Sequence, residues 1–180
     1  MATLFYAALI AACLLTLAAA WTDAKKGIIP NVLTLPALGL GLLLGLLTGG
    51  LWGLGQALCG AFFCFIVPWG LFQFSKGSAI GGGDVKVFAA LGALLGPSLG
   101  LEVQLTSLVL LAFFSMLLLA WRGGLFAMLK RSLWLMLGWA LPKRWQPEMS
   151  PEHFTAMRMG PAICLATWGS IAFNYLPFLL

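Results

Sequence analysis

The sequence predicts an all-α polytopic membrane protein, with about six transmembrane helices and one interfacial or re-entrant helix. Three observations predict it. Hydrophobic residues make up 62% of the 180 residues. Charged residues make up only 8%, about a third of the ~25% usual in soluble domains. Charge-free runs are long enough to cross a bilayer, which takes about 20 mostly apolar residues per helix. Such a composition excludes a disordered chain, which needs high charge and low hydrophobicity. It also argues against a soluble domain, whose surface these few polar residues could not cover.

The elements follow from the runs. Residues 3–21 form the first span. A cleaved signal peptide is disfavoured there, because the N-terminal residues carry no cation. Residues 27–75 are uncharged and hold two spans, 32–47 and 51–74, divided at Thr48-Gly49-Gly50. A shorter fourth span covers 84–101 and contains Gly92, Gly96 and Pro97. The fifth covers 104–121 and the sixth 159–178. Segment 123–142 is apolar at both ends, but Lys130 and Arg131 lie at its middle. Each would cost about 2.5–3.5 kcal/mol at the bilayer centre, so an interfacial or re-entrant helix fits better. No internal repeat or second domain is evident, and residues 1–180 read as a single membrane-embedded domain.

The cations set the orientation. With six spans, the first, third and fifth connections carry two, two and six of them, which is all ten Lys and Arg of the chain. The positive-inside rule then puts these connections in the cytoplasm and both termini outside. The net charge of +5 is explained by orientation and anionic lipid headgroups, so no nucleic-acid partner is implied. The four cysteines lie in apolar spans without a CxxC pair, which predicts buried structural thiols and no metal site. His153, the one histidine, falls in the basic connection 122–158 and reads as a solvated residue.

Of the five acids, Glu102 reads as an outer-loop residue between spans four and five. Glu148 and Glu152 read as charge-balancing residues of the basic connection. Asp23 and Asp84 differ, because both fall at the cytoplasmic membrane edge, where ionisable residues default to functional hypotheses. The structural alternative is an Asp23–Lys26 pair with Asp84 capping its own helix. Gly81-Gly82-Gly83 precede Asp84; without side chains they admit another backbone and unusual dihedrals, a place where an extended peptide could lie beside a carboxylate. Two aspartates suffice for metal-free peptide hydrolysis. One takes a proton from water while the other, protonated, polarises the scissile carbonyl, and the pair titrates as a unit. Helix ends assign the roles: Asp84, at an N-terminus, is the anion, and Asp23, at a C-terminus, is the acid.

Gly81-Gly82-Gly83-Asp84-Val85-Lys86 resembles the GxGDxK motif of the GxGD aspartic peptidases of the type IV prepilin peptidase group. Asp23-Ala24-Lys25-Lys26-Gly27-Ile28-Ile29-Pro30-Asn31 resembles that group's second signature, in which an aspartate precedes basic residues and an Ile-Pro-Asn. Arg158-Met159-Gly160-Pro161-Ala162 resembles its Gly-Pro entry to the last helix. The resemblance implies an intramembrane aspartic endopeptidase that removes short basic leaders from prepilins or pseudopilins. Asp23 and Asp84 are its implied catalytic pair, with no cofactor and no metal. Gly81, Gly82 and Gly83 are the implied substrate loop, and Lys26, Pro30, Asn31 and Lys86 the supporting residues. The chain lacks the paired CxxC motifs of the larger enzymes that also methylate the new N-terminus. It resembles the small peptidase-only form of Flp/Tad-type pili, so no methyl transfer and no zinc are expected. Two rivals from other classes are a proton-coupled transporter using both aspartates and a non-catalytic subunit of a pilus or secretion machine.

Overall fold

The structure is a computed structural model, and it describes residues 2–74, 80–121 and 159–175. The expected interfacial segment 123–142 lies outside the described residues, as do Lys76, Glu148, Glu152 and His153. The chain clusters into two compact units, Met1–Leu110 with Arg158–Leu180, and Leu111–Met157. In the second unit residues 111–121 are described; they are helical, and Ser115 Oγ donates to the Leu111 carbonyl at 2.6 Å. Everything else below concerns the first unit.

All regular structure among the described residues is helical. The elements are α1 (Ala2–Lys26), α2 (Asn31–Phe74), α3 (Gly82–Trp121) and α4 (Gly160–Tyr175). Three of these, within Thr3–Lys26, Asn31–Phe74 and Gly82–Leu117, are long and apolar enough to cross a membrane.

Helix α1 shows how a nearly all-apolar helix chooses its faces. Ala8, Ala12, Thr16, Ala19 and Asp23 are buried, at three- and four-residue spacing along one stripe. Ile10, Leu14, Leu17 and Trp21 are exposed. The buried stripe is made mainly of small residues, with Leu9 and Leu15 buried beside it, as expected where lipid removes the penalty on exposed hydrocarbon and close backbone approach drives packing. Helix α1 ends at Gly27, whose φ of 65° and N–H bond to the Asp23 carbonyl (2.9 Å) form a left-handed C-terminal cap. Helices α1 and α4 pack together and run antiparallel, with Phe5 against Tyr175 (ring centroids 5.3 Å apart) at one end and Asp23 against Gly160 at the other.

Helix α2, with 44 residues, would be about 66 Å long if straight, twice the hydrocarbon thickness. It is not straight. At Gly50 the backbone leaves the helical region (φ 59°, ψ −141°). Beyond it Gly53 returns to Gly45, where a Cβ would lie 2.8 Å from the Gly53 carbonyl oxygen. Eight residues along a straight helix are about 12 Å apart, so the chain doubles back at Gly50, at the expected Thr48-Gly49-Gly50 signal. Helix α3 does the same at Gly96 (φ 78°, ψ 176°). A Cβ on Gly100 would lie 3.0 Å from the Gly92 Cα.

This second reversal corrects the sequence expectation, which kept Gly96 and Pro97 inside span four and broke the chain at Glu102. Gly96 adopts a φ that other residues rarely tolerate, and Pro97 lacks the N–H needed to continue the preceding turn. Glu102 is helical and half-buried, and both of its carboxylate oxygens accept from Asn174 Nδ2 (2.9 and 3.2 Å). Its charge marks a helix–helix contact rather than a loop. The cysteine expectation is corrected as well: only Cys64 is buried, Cys59 is exposed, and Cys13 and Cys164 are half-buried.

Candidate active site

Three chain segments meet at one end of α1, and each is held by a contact that its residue types explain. The first is the turn after α1. Asp23, 7% exposed, ends the buried stripe of that helix. Ile29 is buried, Pro30 immediately precedes α2, and the Pro30 carbonyl accepts from Leu33 N–H at 3.1 Å.

The second segment is the start of α3. Gly81 precedes the helix, while Gly82 and Gly83 form its first turn. None of the three has a positive φ. Their lack of side chains therefore serves space and not unusual dihedrals, which narrows the sequence expectation of an irregular loop. The space differs along the triplet. A Cβ on Gly83 would lie 3.0 Å from the Ile29 Cβ, one on Gly81 would lie 3.0 Å from Asp84 Oδ2, and one on Gly82 would meet only Phe72, at 3.8 Å. The two outer positions are thus tight, so that a neighbour would have to give by a few tenths of an ångström to admit a side chain, whereas the middle one has ordinary room. Asp84 is 8% exposed. Its Oδ2 accepts from the Gly81 N–H at 3.2 Å, the acidic half of a capping box, as the capping alternative expected. Its Oδ1 is buried and accepts no hydrogen bond among the described residues.

The two segments are joined twice: by Ile29 against Gly83, and by Lys86 Nζ donating to Asn31 Oδ1 at 2.7 Å. Asp23 and Asp84 lie close enough for the charge of one to act on the other. Of the predicted supporting residues, Asn31 and Lys86 thus pair with each other, and Pro30 is exposed. Lys26 is exposed and, among the described residues, is not paired with Asp23. Its neighbour Lys25 lies over the exposed Trp21 ring, 4.1 Å from the centroid, as suits an aromatic residue at a membrane boundary.

The third segment is the start of α4, where Gly160 N–H donates to Asp23 Oδ2 at 2.9 Å. The sequence shows the Gly-Pro at this point but gives Gly160 no role at the site. The available signal was the resemblance of this stretch to the family's Gly-Pro entry to the last helix. The contact also changes the assignment of roles from helix ends. Asp23 lies at the C-terminus of α1 and at the N-terminus of α4, so the dipoles do not separate it from Asp84.

An open groove of about 540 Å³ lies elsewhere, among Phe5, Leu44, Thr48, Gln56 and Gly96. Neither aspartate lines it. No group of residues that could hold a metal ion occurs among the described residues.

Two buried carboxylates near each other on membrane-length helices define a class: helical membrane proteins with ionisable groups buried at one end of the packed helices. Within that class, the type IV leader peptidase family matches residues 8–121, a stretch that includes both aspartates. The chain belongs to this family. It is similar to the prepilin leader peptidase/N-methyltransferase of Aeromonas hydrophila, 43% identical over 108 residues, covering 56% of this chain and 37% of that protein. It is also similar to the protein of that name from Pectobacterium carotovorum subsp. carotovorum, 38% identical over 109 residues, covering 56% and 36%. The chain thus spans little more than a third of the length of these relatives. No solved structure matches it.

Proposed function

We propose that the chain is an intramembrane aspartic endopeptidase that removes the leader of a prepilin or pseudopilin at the cytoplasmic membrane edge. One observation carries the reading: the two motif aspartates lie near each other, buried, and among the described residues the Asp84 Oδ1 accepts from no donor. A buried carboxylate oxygen left unsatisfied costs about 1–3 kcal/mol or more, and such a cost at a paired site is the mark of a group kept free for chemistry.

In this reading one aspartate, ionised, removes a proton from water. The water oxygen adds to the scissile carbonyl carbon while the other aspartate gives its proton to the carbonyl oxygen. Collapse of the tetrahedral intermediate breaks the C–N bond: the leaving nitrogen takes the proton held by the first carboxylate, and one hydroxyl of the intermediate returns its proton to the second, which restores the pair. One proton comes from water and the other from the protonated aspartate; the chain's own residues supply the base, the acid and the fixed geometry, so no metal or cofactor is needed.

The wider reading has six spans, with the reversals at Gly50 and Gly96 as turns on the far side and both termini periplasmic. The concentration of cations in the odd-numbered connections supports it. We further propose that leader removal proceeds without methyl transfer, since the sequence has no CxxC pair.

Co-expression with a small prepilin tests the reading: the leader should be lost, and Asp23→Asn or Asp84→Asn should each stop the loss at unchanged protein level. Continued cleavage in either variant refutes the paired-aspartate mechanism. No cleavage by the unaltered chain favours a non-catalytic membrane subunit. Incubating the cleaved product with a methyl donor should leave its N-terminus unmethylated.

A further inference from the structure

The start of α4 has an unusual supply of donors. The Met159 carbonyl accepts from Ile163 N–H at 3.0 Å, which places Met159 at the N-cap. Methionine has no side-chain oxygen with which to cap the first turn. Pro161 has no N–H at all. The Gly160 N–H, one of the donors that a helix cannot satisfy internally, therefore needs an acceptor from elsewhere. Asp23, 137 positions away, provides it.

The fit around Gly160 is tight on the same side. A Cβ there would lie 2.8 Å from the Asp23 Cβ, 2.9 Å from its Oδ2 and 3.0 Å from the Ala20 Cα. The last is backbone and cannot turn away. The helix pair cannot easily relax either, because α4 is fixed along its length by Ala162, Ile163, Ala166 and Thr167, all buried.

We propose that Gly160 is a positioning residue for the peptidase reaction: its N–H holds one oxygen of Asp23, and its missing side chain lets the two helices close to that distance. The N–H fixes the plane of the Asp23 carboxylate and leaves Oδ1 for the reacting groups. Helix α4 thus takes part in the site without contributing a side chain. This inference rests on the peptidase reading.

The test has two arms. In the first, Gly160→Ala should lower kcat for prepilin cleavage by about 10- to 100-fold, the scale of a misplaced catalytic group, with KM within about twofold. Gly169→Ala, on the same helix with nothing within 4 Å of a Cβ, should cleave normally. Wild-type kcat in Gly160→Ala overturns the proposal.

The second arm needs no variant of Gly160 and no substrate. In the unaltered chain, ¹⁵N-glycine-labelled in nanodiscs, the Gly160 amide proton should resonate downfield and exchange slowly, as a donor to a carboxylate does. In Asp23→Ala, which removes the acceptor, this amide response should be lost. An amide with the same resonance and exchange rate in both proteins overturns the proposal, and this arm decides if Gly160→Ala fails to accumulate. Absence of cleavage by the unaltered chain, with the amide response present, would remove the peptidase reading and leave the contact standing. Normal cleavage by Gly160→Ala would remove the positioning role alone.

Discussion

The two aspartates are equally buried and differently held. Asp84 is bound by its own neighbourhood: Gly81, three residues earlier, donates to one oxygen, and the other oxygen has no donor among the described residues. Asp23 is bound from across the fold, by a helix that begins 137 positions later. A local cap forms with the helix it caps, whereas a distant one forms only when the helices pack. The difference teaches that the geometry of the pair depends on tertiary closure mainly at Asp23, while Asp84 carries the unsatisfied oxygen.

The largest expected effect treats the two alike. Asp23→Asn and Asp84→Asn should each reduce leader cleavage by at least about 10²–10⁴-fold, the usual contribution of a general acid or base, read on a gel from co-expressed prepilin. Equal stability of the two variants and the unaltered chain would tie the loss to chemistry.

The next concerns the glycines between them. Gly83→Val should force Ile29 aside and cost about 1–3 kcal/mol by overpacking, seen as a lower Tm in detergent. Gly82→Ala should change stability by no more than about 0.5 kcal/mol, because its Cβ meets only an aromatic edge. Equal penalties at both positions would contradict the Ile29–Gly83 contact.

The sharpest separation comes from truncation. Asp23→Ala removes the acceptor for α4 and should cost about 0.5–2 kcal/mol, the range for a lost N-terminal cap. Asp84→Ala removes a partial cap and also a buried unsatisfied oxygen, so the two terms oppose and Tm should be nearly unchanged or raised. The reverse order of melting temperatures would break the comparison. The smallest effect is expected for Lys86→Met: the Lys86–Asn31 bond is exposed, and its loss should cost less than about 1 kcal/mol.

Much of this was legible in the chain. Scarcity of charge announced membrane-length helices, and the Thr48-Gly49-Gly50 signal marked the first reversal because glycine there has no competing explanation. The second reversal was misplaced by six residues. A charge at Glu102 looked like a loop, and only the Asn174 amide, far along the sequence, shows how a helical carboxylate can be satisfied there. Asp23 and Asp84 stood out because each had a motif around it. Gly160 also lay in a recognisable Gly-Pro stretch, but that stretch gave it no role, since its reason for being glycine lies in a side chain from another helix. Periodicity was of little help throughout α1: when both faces are apolar, hydrophobicity does not distinguish the face that packs from the face that is exposed.

The turn at Gly96 has one more consequence. From Gly82 to Gly96 the first arm of α3 rises only about 21 Å at 1.5 Å per residue, against a hydrocarbon core of about 30 Å. The shortfall of about 9 Å is a hydrophobic mismatch, which bilayers relieve by thinning. In the proposed orientation, thinning would bring the water boundary closer to Asp84, and the proposed cleavage should then depend on acyl-chain length.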